Sequence, residues 1–241
     1  NVFIEEGLSV ALLDRLMASL AAAAGTAGVQ VAAGDTKVVP RGQGSGLYLA
    51  TTGVGLRRPG LDLGLHRVQA EDVILVSGPV GDHGAAVMLA REQFGLSGEL
   101  ASDAASVQPF TEVLLDLPGL RFMRDPTRGG LATVAHDLAE GSGCGIRLEQ
   151  GAIPVRPAVA SVCDILGYDP LYLACEGRVV AVVAAAEADA ALARWRGLPG
   201  GAEAAVIGRV VPGARGVVLV TALGGRRLLE PLEDDPLPRI C

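Results

Sequence analysis

Apolar residues recur at helical spacing near the start of the chain, where Leu12, Leu13, Leu16, Met17 and Leu20 form one stripe. Ser9 stands just ahead of that stripe, where a capping hydroxyl belongs, and Gly25 and Gly28 stop it. The period then shortens. "VQVAAGDTKVV" (29–39) predicts a short buried strand leading into a polar turn, and "GLYLATTGVG" (46–55) predicts a second strand. "LRRPGLDLGLH" (56–66) interrupts both patterns with Pro, Gly and charge, which places a domain boundary there.

Strand and helix patterns alternate beyond it. "EDVILVSG" (71–78) predicts a strand that enters the helix "AAVMLAREQFG" (85–95) through "PVGDHG". A helix over 107–117 ends at Pro118-Gly119, and "LRFMRD" (120–125) is a strand. A helix entered through Gly129-Gly130 follows, then "CGIRLEQ" (144–150) as a strand and "RPAVASVCDILG" (156–167) as a helix. "GRVVAVVAA" (177–185), "EAAVIGRVV" (203–211) and "GVVLVTA" (216–222) are strands, with a helix over 187–197 among them. This mixture of βα units and adjacent strands is an α/β or α+β fold, with helices layered on mixed sheets. From Glu230 the pattern is lost, and "EPLEDDPLPRIC" reads as an extended, mobile tail.

Composition narrows the function. Half of the 241 residues are hydrophobic but only 3% are aromatic, so the core is aliphatic. The net charge is −7, Lys37 is the single lysine, and no basic run exists, which argues against nucleic acid as a partner. No apolar run is long enough to span a bilayer. Cys144, Cys163, Cys175 and Cys241 include no CxxC pair, and sparse cysteine in a chain this long points to a reducing, cytoplasmic setting. The first three read as buried small hydrophobes.

Four stretches could carry chemistry. In "GDTKVV", Gly34, Asp35, Thr36 and Lys37 offer close backbone approach, a hard oxygen for Mg²⁺, a hydroxyl and an ammonium for phosphate; a capped polar turn is the plain alternative. In "GPVGDHGAAV", glycines precede a helix start and His83 could serve as acid or base; here the alternative is a turn capped by Asp82. "RDPTRGGL" repeats the strand–glycine–helix arrangement, with Arg128 and the backbone of Gly129 and Gly130 positioned for an anion and Asp125 as a further cofactor-binding candidate; an ordinary connection is the alternative. "ACEGRVV" places Glu176 before an apolar strand, where a carboxyl can act as a base; an ordinary loop carboxylate is the alternative. Cys241 adds a thiol on a proline-stiffened arm reaching at most ~33–36 Å from Pro231. A thiol so placed suits a carrier that visits more than one site.

"GDTKVV", "LVSG…GDHG", "DPTRGG", "EGR" and the final "PRIC" occur together and in this order, and in this the chain resembles the HypE family, the carbamoyl dehydratases of [NiFe]-hydrogenase maturation. The resemblance runs from "FIEEGL" to Cys241, and in looser form the motifs are similar to aminoimidazole ribonucleotide synthetase, selenophosphate synthetase and thiamine monophosphate kinase. It implies a two-domain synthetase-like fold using ATP and Mg²⁺. HypF would carbamoylate Cys241, ATP would activate the amide oxygen, and loss of phosphate would leave a thiocyanate. The cyanide would then pass to iron on a HypC–HypD complex. Asp35 and Lys37 match the family's nucleotide-binding motif, with Asp35 on the metal; Asp82, His83 and Glu176 are candidates for positioning or proton removal. Family members begin with a further stretch and pair as homodimers. Residues 1–62 are therefore expected to be a remnant of the ATP-binding and dimerisation domain, 67–230 an intact α/β domain, and 231–241 a flexible tail. Two alternatives stay open: a different ATP-using enzyme of this superfamily in which Cys241 is incidental, and a non-catalytic docking fragment.

Overall fold

A computed structural model describes residues 1–91, 100–213 and 216–233. The chain divides into two compact units, Asn1–Pro59 and Gly60–Cys241, and the break falls inside the Pro/Gly-rich interruption.

In the first unit, β1 (Val2–Glu5) is the middle strand of three. It pairs in parallel with β2 (Thr36–Val39) and antiparallel with β3 (Leu47–Leu49). Helix α1 (Val10–Thr26) begins as its sequence predicts: the Ser9 hydroxyl accepts the Leu12 N–H. It ends at Ala27, one residue before Gly28 at φ +65°. The Glu5 carboxylate accepts the N–H groups of Gly42 (2.5 Å) and Gly46 (2.9 Å) and ties the β2–β3 loop to β1. These bonds hold its pKa below the usual glutamate value.

Two strand expectations in this unit are corrected. Residues 29–35 are exposed and form no strand; the strand starts at Thr36. A strand needs a ladder partner, and β1 is matched residue for residue by 36–39, Val2 opposite Thr36 and Glu5 opposite Val39. The second predicted strand is regular only over Leu47–Leu49, which spans the length of β1 available to it.

The second unit is built on a seven-stranded sheet in the order β10-β9-β6-β8-β4-β7-β5. Its strands are β4 (Val73–Val76), β5 (Leu120–Arg124), β6 (Gly145–Glu149), β7 (Val180–Val183), β8 (Ala205–Val211), β9 (Gly216–Val220) and β10 (Arg226–Leu228). All neighbours are antiparallel except β6 and β9. The unbroken apolar runs "VILV" and "VAVV" have a direct cause: β4 and β7 lie inside the sheet and are buried on both faces. Ile74, Val76, Val180 and Val182 pack beneath α4 (Gly130–Ser142) with Leu131, Val134 and Leu138. Val73, Leu75, Ala181 and Val183 pack on the other face with α3 (Gln108–Glu112) and α6 (Ala188–Arg196) through Phe110, Ala191 and Trp195. The Trp195 indole N–H donates to the Phe110 carbonyl at 2.8 Å, which satisfies the one polar group that its burial would strand.

Helices α2 (Asp82–Arg91) and α5 (Pro157–Leu166) share a third cluster with Leu173. The helix predicted over 107–117 is regular only through Glu112 and then becomes a series of turns. The hairpin strand β10 is an addition to the expected set. Beyond it Leu229 is buried, and the Tyr172 hydroxyl donates to the Glu230 carbonyl at 2.7 Å. The first residues of the predicted tail are thus held by the body of the unit, while Cys241 lies outside the described residues. Among the described residues, no helix is long and apolar enough to cross a membrane.

Candidate functional site

In the first unit, Gly34 and Asp35 immediately precede β2, and Thr36 and Lys37 are its first residues; all four side-chain positions are exposed. One Asp35 oxygen accepts the Thr36 N–H at 2.9 Å, so the turn is locally capped, as the plain reading expects. Gly34 is different. A Cβ there would meet nothing within 4 Å, and its φ lies outside the left-handed region, so the fold itself does not require glycine. Open space over Gly34 beside a carboxylate and an ammonium leaves room for a ligand's close approach. Among the described residues, no group of three or more His, Cys, Asp or Glu forms a metal cluster. A single exposed carboxylate fits Mg²⁺ held jointly with phosphate oxygens, the usual mode for that ion, rather than a self-sufficient metal site.

In the second unit, the three other motifs converge on one segment, 171–178. Gly84 N–H donates to the Ala174 carbonyl at 3.0 Å, and Gly81 N–H points at the Cys175 sulfur at 3.2 Å. The Cys175 N–H donates to the Pro126 carbonyl at 3.0 Å, so the "DPTRGG" turn meets the same segment from another direction. Contact is backbone to backbone. A Cβ on Gly84 would lie 2.8 Å from Leu173 Cβ, and one on Gly130 would lie 2.5 Å from the Leu173 carbonyl oxygen. Gly130 also sits at φ +58°. These glycines are explained by close packing, which sequence alone could not separate from phosphate binding.

Glu176 emerges half-buried from this hub. Its N–H donates to Asp103 Oδ1 at 3.0 Å. His83 Nδ1 lies 2.8 Å from the Ser102 hydroxyl, so one dipeptide, Ser102–Asp103, touches both candidate proton-handling residues. Asp82, in the first turn of α2, is turned inward with a side chain only 1% exposed. Its carboxylate lies 3.5 Å from Arg156 Nε and 3.7 Å from Arg178 Nη2, and neither oxygen has a hydrogen-bond partner among the described residues. It therefore acts on those guanidiniums instead of capping the helix by a hydrogen bond. Burial is the largest influence on it and raises its pKa, against the pull of Arg156 and Arg178. Asp125 and Arg128 are both exposed on the "DPTRGG" turn, which leaves the Arg128 guanidinium open to an incoming anion. Burial pushes the Cys175 thiol up to about 12 and Cys163 up to about 11, which makes both inert hydrophobes, as expected.

Asp103 and Ser102 carried no signal in the sequence. They sit in an unpatterned stretch, and Asp103 is 73 positions from Glu176.

Residues 69–221 match the family model for the C-terminal domain of AIR synthase related proteins. Over 240 residues the chain is 47% identical to carbamoyl dehydratase HypE of Rhodobacter capsulatus, covering 99% of this chain and 71% of that protein. The chain belongs to the HypE family. Among solved structures, Escherichia coli HypE superposes with a TM-score of 0.94 at 42% identity over 100% of this chain and 74% of that one. HypE in complex with ATP gives 0.88 at 38% identity, covering 98% and 72%. The HypE–HypF complex gives 0.87 at 35%, covering 95% and 75%. The mixed α/β architecture expected from the sequence is the HypE fold.

Proposed function

We propose that this protein is an ATP-dependent carbamoyl dehydratase that builds a cyanide ligand for [NiFe]-hydrogenase on the sulfur of Cys241. The observation that supports this most is the 47% identity to a carbamoyl dehydratase across 99% of the chain. An ATP complex and a HypF complex of close structural relatives support ATP as co-substrate and HypF as the carbamoyl donor. HypC–HypD would be the cyanide acceptor, the setting cytoplasmic, and the active form a homodimer.

The chemistry removes water from a primary amide, whose oxygen is a poor leaving group. Attack of the S-carbamoyl oxygen on the γ-phosphorus of ATP forms an O–P bond, releases ADP and loses one N–H proton. Loss of the second N–H proton then drives out inorganic phosphate and leaves a C≡N triple bond on sulfur. Glu176 is the base for the N–H protons, and His83 is the nearby group able to relay them. Lys37 neutralises phosphate charge, Gly34 and Thr36 allow and anchor its approach, Arg128 orients the anionic end of a ligand, and Asp125 on the same turn accepts from a hydrogen-bond donor of the nucleotide. Mg²⁺, with Asp35 as its protein ligand, would offset the charge that develops on the phosphoryl group. Asp82 supports the site through Arg178.

Mass spectrometry of the Cys241 peptide tests the reading. The full-length protein with HypF, carbamoyl phosphate and ATP should carry a carbamoyl adduct that then loses one water. Cys241→Ala should abolish both species without changing the thermal unfolding of the domain. An unmodified Cys241 under these conditions would instead favour another ATP-using activity with an incidental thiol.

A further inference from the structure

We infer that Asp103 is a positioning residue for Glu176: its carboxylate ties the Glu176 backbone amide to the Arg178 side chain across Gly177 and so fixes where the Glu176 side chain leaves the chain. The inference rests on Glu176 being the base proposed above, and it adds a residue to which no role has been given.

The geometry is specific. Asp103 Oδ1 accepts the Glu176 N–H at 3.0 Å, while Oδ2 lies 3.4 Å from Arg178 Nε. The carboxylate therefore spans residues 176 and 178. Gly177 between them is in close backbone contact with the Asp103 carbonyl, and a Cβ there would overlap that oxygen and come within 3.0 Å of the Ala105 nitrogen. The Asp103 side chain is 1% exposed and Arg178 10% exposed, so the ion pair is shielded from water. A buried carboxylate is costly, and charge neutrality alone does not account for this one. Arg178 already faces Asp82 at 3.7 Å and donates to the Pro79 carbonyl at 3.0 Å. What Asp103 adds is the bond to the Glu176 amide. Ser102, its neighbour, holds His83 at 2.8 Å and accepts the Ala104 N–H at 3.0 Å, so the same turn bonds both the His83 ring and the Glu176 backbone. The charged and titratable groups on the elements packed here are Asp82 and His83 of α2, Arg156 before α5, and Cys175 and Arg178 of the segment itself.

Asp103→Asn and Asp103→Ala separate the two halves of the clamp. Asparagine keeps an acceptor for the Glu176 N–H but drops the charge; alanine drops both. Single-turnover dehydration of carbamoylated full-length protein is followed by mass spectrometry across pH, with Glu176→Gln in parallel. Hydrogen exchange of the Glu176 amide is measured on each variant. Asp103→Ala should lose protection at Glu176 and slow dehydration by on the order of 10- to 100-fold, the effect of a misplaced reacting group. Asp103→Asn should keep most of the rate. In both variants the acid limb of the rate profile should move to lower pH, because each removes the negative charge of Asp103 from beside Glu176 and so favours the Glu176 carboxylate. A structural role alone would lower stability and rate without moving the limb. Unchanged Glu176 exchange in Asp103→Ala, or an unmoved limb in both variants, overturns the inference. If Glu176→Gln dehydrates at the wild-type rate, the base assignment itself fails and the clamp loses its catalytic purpose. If Glu176→Gln is inactive while the Asp103 variants match wild type, only the clamp fails. Should the alanine variant not fold, the limb in Asp103→Asn decides.

Discussion

No residue of the first unit is buried, whereas β4 and β7 of the second are buried at every position. The same residue types are used in both. Phe3, Val38 and Tyr48 lie on strands of the first sheet and stay exposed, while Val73, Val180 and Trp195 vanish into the second. A strand sequence therefore says little about stability until its faces are covered, and three short strands with one helix cover few. The candidate functional parts differ in the same way. "GDTKVV" sits on a surface strand held by ladder bonds and one glutamate, whereas Glu176 is held by interlocked glycine backbone and buried charge.

The contrast can be broken at its strong end first. Trp195→Ala should cost about 3–5 kcal/mol, the usual range for emptying a large aromatic site, read from the urea midpoint by far-UV circular dichroism. Gly130→Ala should cost about 1–3 kcal/mol on the same measurement, because the left-handed backbone and the Leu173 carbonyl both oppose a side chain. Phe3→Ala, at a site 43% exposed, should shift the midpoint by less than about 1 kcal/mol. A Phe3 effect as large as that of Trp195 would mean that the first unit has a core of its own.

Acid sharpens the contrast with the smallest perturbation. The Glu5 pKa is lowered by the bonds from Gly42 and Gly46, so the stability it contributes is present above its ordinary value of 4.5 and is lost as pH falls through the lowered one. Asp72 and Asp82 are raised, chiefly by burial. Their contribution is full below the ordinary 3.8 and is lost as pH rises through the raised value. Lowering the pH from ~5 to ~3 should therefore move the Gly42 and Gly46 amide resonances and leave the Trp195 indole resonance in place. Loss of the Trp195 signal first would reverse the assignment.

Where burial decides the pattern, the sequence was readable. The doubly covered strands, α4 with its glycine entry and the capped α1 all lie where spacing puts them. Where a ladder partner decides, it was not: Val29 and Val31 alternate like a strand but Thr36–Val39 has the partner. Arg226 and Arg227 give β10 no apolar alternation, so no spacing marks it as a strand. The site followed the same division. Glu176, His83 and Asp82 are legible next to glycines, but their supports, Asp103 and Ser102, are joined to them only by the fold.

The hydroxyl of Tyr172 on the Glu230 carbonyl has a consequence for Cys241. With Leu232 set against Gly129 as well, the chain is fastened beside the "DPTRGG" turn that touches the segment leading to Glu176. Whatever path the intervening residues take, their covalent length keeps the sulfur within about 30–32 Å of Leu232. One thiol confined to that volume has an effective concentration of at least millimolar order. With Cys241 as the carrier proposed above, the enzyme would need almost no intrinsic affinity for its carbamoyl substrate, and weak recognition would be an advantage, because a product bound tightly to the pocket could not leave it for the next protein.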